Sequence, residues 1–149
     1  MLNKSCVKSI KDPNSNHTWN TEKLRDYINF VQKVFEPVVT EESEIMIKAY
    51  YSYLRMNPSV NKDRKTVRML ESLIRMTEAH ARLLMKSKAT LFDAVSVIIL
   101  MEHTLMTDLY RGDYLPPVVF ENKEHYMQVR DDLVYKLGLD TRSFGRGDE

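Results

Sequence analysis

The sequence predicts an all-α fold, and three observations carry that reading. All four glycines, Gly112, Gly138, Gly145 and Gly147, lie beyond residue 111. The prolines Pro13, Pro37, Pro58, Pro116 and Pro117 fall between the patterned stretches, where a helix breaker belongs. Within those stretches apolar residues recur at three- and four-residue steps, the spacing of one helix face.

Leu24, Tyr27, Ile28, Val31, Val34 and Phe35 give a first helix from Thr21 to Glu36, with Pro37 as its stop. Thr40 then precedes Glu41, Glu42 and Glu44, an N-cap followed by acids where the helix dipole favours negative charge. The second helix runs to Met56 with Met46, Ala49, Tyr50 and Tyr53 inward. Thr66 is the expected cap of a third helix, whose face is read as Val67, Leu70, Ile74, Thr77, Ala81 and Leu84.

Thr90 and Asp93 have capping-box spacing, with Asp where Glu is usual. Leu91, Ala94, Val95, Ile98, Met101 and Leu105 follow as a fourth face. Ala94 to Met101 is apolar nearly all round apart from Ser96, which makes this helix central. Tyr126, Val129, Leu133 and Leu137 mark a fifth helix ending at Gly138, a favourable residue after a helix cap. The chain thus divides into a tail or linker at 1–18, a helical domain at 19–106, a loop at 107–120, a C-terminal helix at 121–138 and a tail at 139–149. Leu70, Ile74, Ala81, Val95 and Ile98 are the expected core.

A chain of 149 residues fits one domain, and 43% hydrophobic with 29% charged residues supports a folded core. With 22 Lys and Arg against 21 Asp and Glu, the whole-chain field favours neither nucleic acid nor an anionic membrane. The single Cys6 excludes an internal disulfide and a cysteine-based zinc site. No apolar run approaches the roughly 20 residues of a membrane span, and the N-terminus lacks a secretory core, so a cytosolic or nuclear protein is expected.

One local charge bias stands out. Between Lys62 and Lys88 lie Lys62, Arg64, Lys65, Arg68, Arg75, Arg82, Lys86 and Lys88, against Asp63, Glu71 and Glu78. Arg68, Arg75 and Arg82 recur every seventh residue, and Glu71 to Arg75 and Glu78 to Arg82 have the favourable i,i+4 order, so an ion-pair ladder is expected. Arg68 differs because it lies in the first turn, where the dipole disfavours a cation and free amides favour an anion. A phosphate contact and a surface pairing with Glu71 are both open readings of it.

His80 and His103 lack metal-site spacing and read as packed or surface histidines. Trp19, Tyr27, Tyr50, Tyr51 and Tyr53 read as core aromatics, since their helical spacing beside apolar residues suits packing better than base stacking. No phosphate-binding loop, nucleophile elbow or dinucleotide turn is present, so no catalytic residue and no metal ligand is predicted.

The string Thr66-Val67-Arg68-Met69-Leu70-Glu71-Ser72-Leu73-Ile74-Arg75-Met76-Thr77-Glu78-Ala79-His80-Ala81-Arg82-Leu83 resembles the lid domain of minichromosome maintenance (MCM) replicative helicases. Leu24-Arg25-Asp26-Tyr27-Ile28, Tyr50-Tyr51-Ser52-Tyr53-Leu54-Arg55 and Ala89-Thr90-Leu91-Phe92-Asp93-Ala94-Val95 extend the likeness over about Trp19 to Leu105. Trp19-Asn20-Thr21-Glu22-Lys23, Val119-Phe120-Glu121-Asn122, Tyr126 and Tyr135-Lys136-Leu137 are most similar to the ninth branch of the family.

The resemblance implies an AAA+ lid bundle of four main helices with a C-terminal helical extension. It implies packing against the AAA+ ATPase core of MCM subunits and assembly into a hexameric ring around DNA, with the eighth branch as a partner. It gives Arg68 the role of sensor-2 arginine at an intersubunit ATP site, in a nuclear helicase of replication and recombination repair. The phosphate-binding loop, acidic metal-binding strand, sensor 1 and arginine finger are missing, so ATP would bind only with an ATPase core and Mg2+ would not be held by this chain. The chain then reads as a truncated product, short isoform or cut piece, inactive by itself. The rival reading is a freestanding helical module that grips DNA phosphates or an acidic protein partner through Lys62 to Lys88.

Overall fold

The computed structural model describes residues 19–62, 65–105, 109, 123–140 and 144. Five helices occupy Thr21–Val34 (α1), Glu41–Met56 (α2), Val67–Leu83 (α3), Leu91–Leu105 (α4) and Lys123–Lys136 (α5). Two short strands, Val38–Val39 (β1) and Lys88–Ala89 (β2), complete the described elements. The all-α reading holds.

The core is built round α4, as its nearly continuous apolar surface requires. Leu91, Ala94, Val95 and Ile98 of α4 meet Met46, Ile47, Tyr50 and Leu54 of α2 and Leu73 of α3. Tyr126 and Leu133 of α5 join the same core, and the Phe92 and Tyr126 rings lie 5.1 Å apart. The C-terminal helical extension thus contributes buried side chains to this core.

Local chemistry sets most of the helix starts. Asn20 Oδ1 accepts from the Lys23 amide at 2.8 Å at the head of α1. Thr40 Oγ1 faces the Ser43 amide at 3.5 Å and donates to the Ala89 carbonyl at 3.2 Å. Asp93 reaches back to the Thr90 amide at 2.8 Å, the reciprocal arm of the expected capping box. Thr66 holds the N-cap position of α3 with extended backbone but makes no side-chain capping bond.

The two strands pair in parallel, Val38 with Lys88 and Val39 with Ala89. Two residues are too few to show alternation, so no sequence pattern announced them. The pairing sets the capped starts of α2 and α4 side by side.

Several expectations are corrected. α1 ends at Val34, and of its expected inward face only Val31 is buried; Leu24, Ile28 and Val34 are exposed. The reason is peripheral placement: α1 lies against the C-terminal part of α3, where the Tyr27 hydroxyl donates to the Leu83 carbonyl. α3 is rotated from its expected orientation, burying Leu73, Thr77 and Ala81 while Leu70 and Ile74 are half-buried and Val67 and Leu84 exposed. Leu73 leads because α2 and α4 both press on that stripe. Tyr50 is buried as expected, but Trp19 is half exposed. The expected C-terminal tail contributes Phe144 to the core, with Leu139 packed against it. The tail at 1–18 and nearly all of the loop at 107–120 lie outside the described residues.

Candidate functional site

The local basic excess lies on α3 and the segments that flank it, and the structure separates five of those cations into two groups. Some are tethered. Lys65 Nζ donates to the Asn57 carbonyl at the end of α2. Arg82 Nε donates to the Phe35 carbonyl at 2.9 Å, tying the end of α1 to α3. Lys86 Nζ lies 3.3 Å from both carboxylate oxygens of Asp93.

Arg68 and Arg75 form the other group. Both are exposed, and neither makes a side-chain hydrogen bond or ion pair among the described residues. Among the described residues the expected ladder of Glu71, Arg75, Glu78 and Arg82 is not formed: neither i,i+4 pair closes, and Arg82 turns to the Phe35 carbonyl instead of Glu78. A backbone carbonyl fixed at a helix end holds one geometry, whereas an exposed ion pair must immobilise two long side chains for little gain.

Arg68 lies one residue inside α3, beside Thr66, whose side chain caps nothing. No acidic residue occupies the first turn of α3. The Met69 amide bonds the Thr66 carbonyl at 2.9 Å, but no side chain caps this end of α3, so the first turn and the guanidinium together make a positive end without an acidic residue in that turn. That arrangement suits an anion that guanidinium can meet with paired hydrogen bonds, a carboxylate or a phosphate.

Sequence reasoning missed a second polar centre. Asp93 is fully buried and accepts from His80 Nδ1 at 2.8 Å, from Thr90 Oγ1 at 2.9 Å and from the Thr90 amide. Burial alone would raise its pKa, but the bonds from His80 and Thr90 and the charge of Lys86 outweigh it and hold the carboxyl below its ordinary value. The capping-box spacing was the available signal, while His80, 13 residues upstream, carried none. In the core, buried Glu102 accepts from the Tyr50 hydroxyl at 2.7 Å. Burial, then the Glu102 charge, pushes the Tyr50 phenol well above its ordinary range.

Among the described residues, no group of three or more His, Cys, Asp or Glu side chains is placed to hold a metal ion. No described helix is long and apolar enough to cross a membrane.

The MCM AAA-lid domain family matches residues 22–105, which take in α1 from its second residue, α2 to α4 and both strands. The chain belongs to this family. The MCM lid here is 44% identical over 89 residues to "Probable DNA helicase MCM9" of Oryza sativa subsp. indica, covering 60% of this chain and 13% of that protein. A protein of the same name from Arabidopsis thaliana is 44% identical over 87 residues, 58% of this chain and 14% of its own length. "DNA helicase MCM8" of Rattus norvegicus is 34% identical over 103 residues, 68% of this chain and 12% of its own. The chain thus spans about an eighth of the length of these relatives. Arg68, Glu71, Arg75, Glu78 and Arg82 all lie within the lid segment, as do His80 and Asp93.

Proposed function

We propose that this MCM lid serves an ATP-dependent DNA helicase by presenting Arg68 to a nucleotide phosphate at the interface between ATPase subunits. The observation that carries the reading is the position of Arg68: an exposed guanidinium in the first turn of α3, without an acidic partner among the described residues and beside amides that Thr66 leaves uncapped. A cation there gains nothing from the dipole, so its use lies in meeting an anion from outside.

ATP, held mainly by an ATPase core, supplies the phosphoanhydride bond that is cleaved. Arg68 would hold positive charge against the phosphates as charge shifts in the transition state, the sensor-2 role. Mg2+ would be held by the core. The same reading puts the parent assembly in the nucleus, as a ring around DNA acting in replication and recombination repair, with an MCM8-type subunit as partner.

The test joins the lid to an MCM ATPase core and compares Arg68→Ala with Arg75→Ala, its equally exposed neighbour two turns along. Arg68→Ala should lower ATP turnover about 100-fold, the usual scale for removing one transition-state donor, and leave the thermal midpoint nearly unchanged. Arg75→Ala should leave both intact. Normal turnover in the Arg68 variant, or equal losses in the two, refutes the assignment.

A further inference from the structure

Three threonines, Thr40, Thr66 and Thr90, immediately precede a described helix, and only Thr66 leaves its hydroxyl out of the fold. The Thr40 hydroxyl donates to the Ala89 carbonyl and that of Thr90 to Asp93, and both residues are half-buried. Thr66 is exposed, has extended backbone (φ −96°, ψ 160°) and makes no side-chain capping bond.

The sequence round this open hydroxyl is basic on both sides. Lys62, Arg64 and Lys65 stand four, two and one residues before Thr66, and Arg68 stands two residues after it; Asp63 is the one acid in that stretch. A protein kinase selects its acceptor by such a charge pattern, read along an extended chain. Thr66 lies just ahead of α3 and already has that backbone form.

We propose that Thr66 is a phosphorylation site for a basophilic serine/threonine protein kinase, and that its phosphate settles on the start of α3 with Arg68 as counter-ion. Thr66 Oγ attacks the γ-phosphorus of the kinase's ATP. The new O–P bond replaces the bond to the bridging oxygen of ADP, which leaves, and the hydroxyl proton passes to a carboxylate of the kinase.

The product carries about −1.5 to −2 charge at pH 7 and three strong acceptor oxygens. They face the Arg68 amide, two residues on, where a capping side chain ordinarily bonds, and the exposed Arg68 guanidinium. No acid in the first turn of α3 repels them; Glu71, the first acid of the helix, is its fifth residue. Phosphorylation thus supplies the cap that the hydroxyl does not, and engages Arg68 within its own chain. Loss of ATP turnover is the functional consequence, and this clause alone rests on the nucleotide reading of Arg68.

The test incubates the full chain with ATP and the catalytic domain of protein kinase C, which favours basic residues on both sides of its acceptor. Fragmentation mass spectrometry should map the phosphate to Thr66, and Thr66→Val should abolish that uptake without lowering the thermal midpoint. Phosphorylation should raise the midpoint by about 2–4 °C, and Arg68→Ala, taken to the same stoichiometry, should lose part of the gain. Phosphate on Ser87, between Lys86 and Lys88, with none on Thr66 overturns the proposal. So does a midpoint that does not rise, or an equal rise in Arg68→Ala. Joined to an MCM ATPase core, the phosphorylated lid should lose turnover on the scale of Arg68→Ala, about 100-fold. Normal turnover in Arg68→Ala, with phosphate still on Thr66 and the midpoint raised, refutes the nucleotide reading and supports the modification. Turnover lost in Arg68→Ala with no phosphate accepted at Thr66 refutes this inference alone.

Discussion

Met85 and Gly138 hold the same place at the ends of two different helices, α3 and α5. Both have positive φ, 55° and 68°. In each turn the next amide reaches a carbonyl five residues back, Lys86 to Ala81 and Leu139 to Val134, both at 3.0 Å. These are the paired bonds of a left-handed helix stop, built once on glycine and once on methionine.

Met85→Gly should therefore stabilise the chain by about 0.5–1 kcal/mol, the left-handed cost relieved less the extra freedom of glycine when unfolded. Gly138→Ala should destabilise it by about 1 kcal/mol; a Cβ there would meet nothing within 4 Å, so backbone conformation alone is the cause. Urea unfolding of the two variants checks the opposite signs.

Asp93 makes folding sensitive to acid. Its folded pKa lies below the unfolded value, so its contribution is complete above about pH 4 and disappears as pH falls through the folded value. Asp93→Asn should cost about 3 kcal/mol at neutral pH, since it breaks a buried, charge-assisted cluster. The variant should also lose less of its remaining stability on acidification, measured as chemical-unfolding midpoints between pH 6 and 2.

Leu73→Ala should destabilise by about 3–5 kcal/mol and Ile74→Ala by less than half as much, although the residues are adjacent. Leu73 is wholly enclosed, whereas Ile74 faces a shallow apolar groove shared with Val39, Ile47 and Leu70. Equal losses would mean that α3 is turned the other way.

Arg82→Ala should cost about 1–2 kcal/mol through its bond to the Phe35 carbonyl, more than an exposed ion pair contributes. Phe35 accepts through its backbone, so the loss should be insensitive to salt and to removal of Glu78. Thermal midpoints at low and high salt distinguish the two accounts.

Where one residue's own chemistry decides the structure, the sequence was enough: Thr40 and Thr90 begin helices, Gly138 ends one, and the apolar run of α4 is central. The face of α3 was not legible, because Leu73 and Ile74 are equally apolar and only contact from two neighbouring helices separates them. Met85 escaped notice because a helix stop is sought at glycine. Arg82 and Phe144 were misjudged for a related reason: their partners are distant in the chain, and short-range spacing carries no record of them. In the candidate site, Arg68 stood out by its position in the first turn, whereas the partnership of His80 with Asp93 needed the turn between α3 and α4.

The junction of β1 and β2 also governs how the chain assembles. The Thr40 amide and hydroxyl both bond the Ala89 carbonyl, 49 residues away. α2 and α3 gain their backbone bonds locally, but this clasp requires the ends of a long segment to meet, an entropic cost that precedes any return. It belongs to the late, non-local part of the folding reaction. The Thr40 amide should accordingly exchange with solvent only when the helices between the strands have lost their mutual packing, which makes it a reporter of cooperative opening rather than of fraying.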